Sequence, residues 1–436
     1  MSEPEARPSV APTAEPAAKA PRPTWRSRLT PLVTRGPSAL ERARGAGPRQ
    51  LDFYYEPGDA HSHLCAQLLP GIARRLGLPL RVHVVPAPEE AAYPEAERQR
   101  AFALGDARRI APAWGLRAPG PQLPGSEDCR RAARTLLGAQ TLEDFARREA
   151  DCARALFGGE DLREAVRRHA ALDGAAAARL LRANAQRRSR GGHYLPAMWH
   201  YDGEWFWGLD RLPLLEDRLR ARDLLRGSEP LATLQPGAAA LPEVPAQAPL
   251  EFWFSFRSPY SYLAAWQLAQ QPALRAGLQV RPVLPMAMRG FVVPRPKRLY
   301  IVRDCQRIAD RLAIPFGHIA DPIGEGARRC LAVFPLADGV DQQLDFLLSA
   351  GRAIWAEGID VAQDEGLRFV VERAGLRWTR ARAMLNPPLD IDYAQHNRDA
   401  LFAAGLWGVP SFRIGTAATW GQDRLWLVDR LVAKAS

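Results

Sequence analysis

None of the five cysteines, Cys65, Cys129, Cys152, Cys305 and Cys330, stands in a C-x-x-C spacing. That absence excludes a zinc knuckle, a secreted disulfide framework and a dithiol redox motif. What remains is a set of widely spaced, reduced thiols, of the kind buried as small apolar residues. Long apolar runs are missing too. No stretch approaches the roughly 18 uninterrupted apolar residues of a membrane span, and the opening MSEPEARPSV lacks the apolar core of a signal peptide. The expected compartment is therefore the cytoplasm, with no membrane partner. His61 and His63 flank Ser62 without further clustered ligands nearby in sequence, so no metal site is expected.

Negative charge is in deficit: 59 Lys and Arg face 48 Asp and Glu, a formal net charge of +11. Such a balance raises nucleic-acid binding, but its distribution argues otherwise. Residues 1–50 hold nine Arg or Lys against four Glu, so about five of the eleven excess charges sit in or just beyond a Pro/Ala/Arg-rich leader, residues 1–48, whose composition predicts disorder. Elsewhere Arg alternates with Glu and Asp at helical spacing, as in DLREAVRRHA and RARDLLRG, the pattern of a solvated helix face. No nucleic-acid partner is expected, and an anionic small substrate fits the remaining charge.

At 436 residues the chain is long for one core, given about 150 residues per domain. After the leader its pattern occurs twice. LDFYYEPGDAHSHLCAQLLPGIARRLGLPLRVHVVP opens one pass and LEFWFSFRSPYSYLAAWQLAQQPALRAGLQVRPVLP the other. Each reads as an aromatic strand, a turn, a helix and a second strand. The two passes also end alike, in GHYLPAMWHYDGEWFWGLDRLPLLEDRL and GLWGVPSFRIGTAATWGQDRLWLVDRLV, each with a proline, a hairpin pattern, Trp-Gly-x-Asp-Arg and an amphipathic helix. Matching ends around a helical middle predict two copies of one domain, over 49–222 and 249–434, joined by a Pro/Ala/Gly-rich linker over 223–248. The order βαβ, helices, ββα predicts an α/β protein of tandem thioredoxin-like (DsbA-like) domains, each with a helical insertion.

In the second copy the first strand runs into Ser258-Pro259. Serine before a helix and proline at its first turn are a capping pair. In a thioredoxin-like fold the same place is the reactive position, where the positive end of the helix dipole lowers the pKa of a thiol. The chain has no cysteine there. The thiol must then come from outside, which points to glutathione, with Ser258 donating a hydrogen bond to its thiolate.

The motifs FWFSFRSPYSYLA, PKRLYIVRDCQRIADRLAIPF, AIWAEGIDV and GVPSF…TWGQDRLWLV, in that order over about 250–432, resemble the glutathione-dependent 2-hydroxychromene-2-carboxylate isomerases, relatives of kappa-class glutathione transferases. The resemblance implies glutathione as cofactor and an aromatic carboxylate or other electrophile as substrate. It implies that Ser258 is the catalytic serine, and that Val409, Pro410, Gln422, Asp423 and Lys297 hold the tripeptide. Val409-Pro410 is expected to be a cis bond, leaving Val409 to pair with the cysteinyl backbone as an added strand would. Asp423 is expected to meet the γ-glutamyl ammonium, or to cap a helix. Trp355 and Trp420 are candidate walls for an aromatic ring or core residues, and Arg257 and Arg289 candidate attractors of a carboxylate. The chain departs from the family at Ser255, where members commonly carry an acid, and no asparagine stands ahead of Lys297.

Three functions follow: an isomerase, a transferase or peroxidase acting with glutathione, and a non-catalytic binding protein. The duplication predicts an intramolecular pseudo-dimer or a homodimer. Aligning the copies places Asp59 opposite Ser258 and Ala60 opposite Pro259. Pro196 and Asp210 are kept but the serine is lost, so the first copy is expected to be non-catalytic or altered in ligand. A carboxylate at that place repels a thiolate.

Overall fold

A computed structural model of the chain describes residues 20–24, 26–36, 50–89, 93–291 (without the side chain of Arg289) and 293–435. The two repeats are both there, each a four-stranded mixed sheet flanked by helices. In the first, β1 (Leu51–Tyr55), α1 (Ala60–Ala66), β2 (Leu80–Val84) and α2 (Ala96–Ile110) precede a run of helices. β3 (Met198–Tyr201), β4 (Glu204–Trp207) and α3 (Leu212–Arg220) close the repeat. In the second the equivalents are β5 (Leu250–Phe254), α4 (Pro259–Ala269), β6 (Leu278–Pro282) and α5 (Arg295–Arg311), then β7 (Ser411–Ile414), β8 (Ala417–Trp420) and α6 (Leu425–Ala435).

Strand order is β2-β1-β3-β4 and β6-β5-β7-β8. The first pair of each sheet is parallel and the others are antiparallel. The central strands LDFYY and LEFWF are buried at every position, which is why they read as continuous apolar runs. Their one acid each is matched across the sheet. Asp52 sits between His83, at 2.7 Å, and His200, at 3.8 Å; Glu251 occupies the same position between Arg281 and Arg413.

The helical insertion of the second repeat lays Gly339–Trp355 across α4. A β-carbon on Gly351 would stand 2.4 Å from Cδ2 of Tyr262, so that glycine sets how closely the two helices approach. The linker packs against the first repeat, with Leu225 bridged to Leu76 and Leu231 buried in its core. No helix among the described residues is long and apolar enough to cross a membrane.

The expectation of disorder over the whole of 1–48 is corrected. Ser27–Leu29 form a 3₁₀ turn and Pro31–Thr34 a short helix. Both are held on the second repeat: Thr24 N–H donates to Gly358 C=O at 3.1 Å, and Thr30 Oγ1 donates to Gly317 C=O at 2.6 Å and accepts from Ile319 N–H at 2.9 Å. Composition judges whether a segment can make its own core; here the ordering comes from a surface already folded. The rest of the leader, residues 1–19, 25 and 37–48, lies outside the described residues.

Candidate functional site

At the β5–α4 junction Ser258 is the N-cap of α4, with extended backbone angles (φ −104°, ψ 110°). Its Oγ accepts from Ser261 N–H at 3.2 Å, and Pro259 begins the helix. The same hydroxyl faces the loop before β7, donating to Val409 C=O over 3.4 Å. The Val409–Pro410 bond is cis. A long second contact leaves the hydroxyl able to turn toward another acceptor, so capping does not exhaust it.

Lys297 enters from the first turn of α5. It is half-buried, and its ammonium lies 5.8 Å from the ring centre of Trp407 and 5.9 Å from that of Tyr194. Among the described residues no carboxylate is within ion-pair distance of it. Burial pulls its pKa down to about 8, as expected for a cation desolvated without an opposite charge.

Gln422 and Asp423 follow β8. The Gln422 amide is engaged at both ends, donating to Asp423 Oδ1 and accepting from Gln267 Nε2 at 3.2 Å. Asp423 Oδ1 also accepts from Nη1 of Arg211, in the other repeat, at 2.6 Å. Burial raises the Asp423 pKa despite that guanidinium.

That last contact belongs to a reciprocal set. Arg211 Nε donates to both oxygens of Asp304 on α5 at 2.9 Å, and Arg424 Nε and Nη2 donate to Asp106 on α2 at 3.0 and 2.7 Å. Arg424 Nη1 reaches Asp210 at 2.7 Å, mirroring Arg211 and Asp423. Arg307 donates to Trp205 C=O and Arg109 to Ala418 C=O, at 2.7 and 2.8 Å. The two repeats thus face one another about a pseudo-twofold axis, each Trp-Gly-x-Asp-Arg arginine inserted into the other copy. Burial raises the pKa of both Asp106 and Asp304, but the arginines outweigh it and hold both low. Sequence comparison alone missed Arg211, Arg424, Asp106 and Asp304 as linked. The signal was present in the matching GDARRIA and RDCQRIA of the paired helices.

The axis brings the two strand–helix junctions onto one cavity of about 460 Å³, a size that takes small ligands. All six residues expected at the site, Ser258, Val409, Pro410, Gln422, Asp423 and Lys297, line it. Trp355 and Trp420 line it as well, Trp420 between Trp407 and Phe102 of the other repeat. Arg257 is at the cavity but held by Asp321 through two hydrogen bonds, of 2.7 and 2.8 Å, so its charge is already matched; the Arg289 side chain lies outside the described residues. Ser255 is buried, and among the described residues its Oγ has no hydrogen-bond partner. In the first repeat Asp59 caps α1, accepting from Ser62 N–H at 2.7 Å, as Ser258 caps α4. His61 and His63 turn to separate partners, Asp106 at 3.5 Å and Glu149 at 2.7 Å.

Comparison with known proteins concerns the second repeat. The family model of the DSBA-like thioredoxin domain matches residues 249–433. A 2-hydroxychromene-2-carboxylate isomerase of Sphingobium xenophagum is 29% identical over 186 residues, 40% of this chain and 93% of the relative. One of Pseudomonas putida is 26% identical over 195 residues, 42% of this chain and 94% of the relative. Among solved structures, a 2-hydroxychromene-2-carboxylate isomerase aligns with 26% identity over 42% of this chain and 94% of its own, at a TM-score of 0.37. The cytosolic disulfide reductase DsbM of Pseudomonas aeruginosa with GSH aligns with 19% identity over 42% and 95%, at 0.29. The second repeat is a DSBA-like thioredoxin domain, similar to 2-hydroxychromene-2-carboxylate isomerases over nearly their whole length.

Proposed function

We propose that the protein is a glutathione-dependent isomerase of 2-hydroxychromene-2-carboxylate or a closely similar aromatic carboxylate. The observation that carries this is Lys297, a desolvated cation without a carboxylate partner among the described residues, lining the same cavity as Ser258 and Val409. Such a group suits the carboxylate of a bound tripeptide, and the residues present fit glutathione in other ways. Ser258 directs a hydroxyl from the start of α4, where the helix dipole favours an anion. Val409 offers main-chain groups beside it, and Asp423 keeps one oxygen, Oδ2, for an ammonium.

When bound, glutathione supplies a thiolate that adds reversibly to the substrate's double bond, permits rotation about it and leaves unchanged. The chain's own contribution is to hold that sulfur charged and placed. Ser258 donates a hydrogen bond to it, Lys297 anchors the tripeptide, and Trp355 and Trp420 present flat apolar faces to an aromatic ring. Arg211 acts through Asp423, fixing the carboxylate from the opposite repeat.

The test is calorimetric titration of the full chain with glutathione, for wild type and Ser258→Ala, followed by an assay on 2-hydroxychromene-2-carboxylate. Binding by wild type, isomerisation without loss of glutathione and at least a tenfold slower Ser258→Ala support the proposal. Absence of glutathione binding by wild type overturns it; stoichiometric consumption of glutathione makes the protein a transferase instead.

A further inference from the structure

The cavity has a second end that the thiol chemistry does not use. There the β1–α1 junction of the first repeat presents Glu56 and Asp59, at the positions that Ser255 and Ser258 hold in the second. Glu56 is 5% exposed, lines the cavity, and its carboxyl oxygens accept no hydrogen bond among the described residues. Its nearest cation is Arg100 on α2, 3.5 Å away. Tyr93 and Trp207 also line the cavity, Trp207 tilted over His61 at 4.8 Å between ring centres.

The two ends therefore differ in charge. One carries an unmatched ammonium and a hydroxyl at a helix N-terminus; the other carries two carboxyl groups among aromatic rings. An anion is favoured at the first end; at the second, Glu56 lies among the carboxylate of Asp59 and the guanidiniums of Arg100 and Arg188. A hydroxyl and a ring oxygen on a bicyclic aromatic substrate suit the second, since Glu56 can accept from the one and donate to the other while the ring stacks on the wall.

We propose that the first repeat supplies the substrate end of the shared cavity, with Glu56 exchanging protons with the hydroxyl and ring oxygen of an aryl-fused cyclic hemiketal. This rests on the isomerase reading above. In a cyclic hemiketal the bond from the ketal carbon to the ring oxygen breaks, and its electron pair leaves on that oxygen, which takes the Glu56 proton. The ketal hydroxyl becomes a carbonyl, and its proton returns to Glu56. No oxidant, reductant or further reactant enters. The second repeat then acts on the double bond of the opened form. Ancestral duplication of one site thus becomes division of labour between two.

Among the described residues, the groups that face Glu56 are Asp59 from the β1–α1 turn, Arg100 from α2, Arg188 from the helix Gly174–Arg190, Tyr93 from the loop before α2, and Cys129 from the helix Ser126–Leu137. Burial and then Asp59 raise the Glu56 pKa to about 8, against the two arginines. A carboxyl that is protonated near neutrality can serve as acid and base in turn.

The experiment compares wild type, Glu56→Gln and Ser258→Ala as full chains. With 2-hydroxychromene-2-carboxylate and glutathione, Glu56→Gln is expected to lose about 100-fold in kcat and the limb of the pH profile set by the Glu56 carboxyl, while calorimetric binding of glutathione stays within about twofold. An unchanged pH profile and rate in Glu56→Gln overturns the proposal and leaves the isomerase reading standing. If wild type does not turn this substrate over, binding of 7-hydroxycoumarin, whose absorbance reports its hydroxyl proton, decides. Wild type and Ser258→Ala are expected to bind it alike and Glu56→Gln at least tenfold more weakly; equal affinity in all three, or binding by none, overturns it.

Discussion

Arg211 of the first repeat and Asp423 of the second meet at 2.6 Å, and the same guanidinium grips Asp304 on α5. One side chain of the copy that lacks the serine thus supports a carboxylate lining the cavity beside the serine of the other. The repeats are joined by charges buried on both sides, and a buried ion pair is tolerated only when its geometry and remaining hydrogen bonds are complete.

Arg211→Met should therefore destabilise the protein by about 3–5 kcal/mol, because Asp423 loses its guanidinium and Asp304 keeps Arg307 at 3.0 Å and the Tyr260 hydroxyl at 2.8 Å but loses its bidentate partner. Arg211→Met with Asp304→Leu should recover a large part, since both partners of the worst pair are then apolar. Urea unfolding of the three proteins checks this. A double variant no more stable than the single one would show that the charge pairing is not what holds the repeats together.

Gly351→Ala should weaken the second repeat by about 1–3 kcal/mol through overpacking. The ring its β-carbon would meet belongs to Tyr262, fully buried on α4, and neither that ring nor the helix backbone is free to yield. Gly105→Ala on α2 is the control. Nothing lies within 4 Å of its added carbon, so it should gain up to about 1 kcal/mol from helix propensity alone. Thermal unfolding of the two variants should move in opposite directions.

The duplication, the sheet-helix order and the gathering of the six expected residues at one cavity rest on local signals legible in the sequence. These are an aromatic run before Ser258-Pro259, a proline loop, and a Trp-Gly-x-Asp-Arg turn that occurs twice. The arginine of that turn was visible and its role was not. Arg211 and Asp304 are distant in sequence and belong to different copies, so only the pseudo-twofold packing relates them. Nothing in the sequence singled out Glu56; its altered acidity comes from burial, which pattern alone does not measure. The helix at Pro31–Thr34 was missed for the same reason, since its partners Gly317, Ile319 and Gly358 lie in the second repeat.

Glu56 gives stability a pH dependence opposite to that of the paired aspartates. Its folded pKa, about 8, lies above the roughly 4.3 of an unfolded Glu. The native state therefore holds more protons between those values, and stability from this group falls as pH rises through that window, by at most about 1.4 kcal/mol per pH unit. Asp106 and Asp304 are held low, so their contribution is present above about pH 4 and is lost on acidification below it. Glu56→Gln should raise the Tm relative to wild type more at pH 8.5 than at pH 5. An equal difference at both would mean that Glu56 is ionised in the native protein across the whole range.

Lys297 separates stability from binding. Burial lowers its folded pKa to about 8 from about 10.4 in an unfolded chain. The charged ammonium is thus disfavoured by folding, and the penalty is fully present below pH 8 and fades as pH rises toward 10.4. Lys297→Met removes it while keeping an apolar stem of similar length between Trp407 and Tyr194. The variant should be more stable than wild type at pH 7, with the gap closing as the pH approaches 10. Its affinity for glutathione at pH 7 should nevertheless fall by roughly tenfold or more, the loss expected for one charge-assisted hydrogen bond. Thermal unfolding across pH and calorimetry at pH 7 read the two effects independently. A lysine that is merely solvated would move neither, whereas one with a purely structural role would lower stability and leave binding to the folded protein unchanged. Opposite movement of the two quantities is the signature of a cation kept desolvated for a ligand's negative charge.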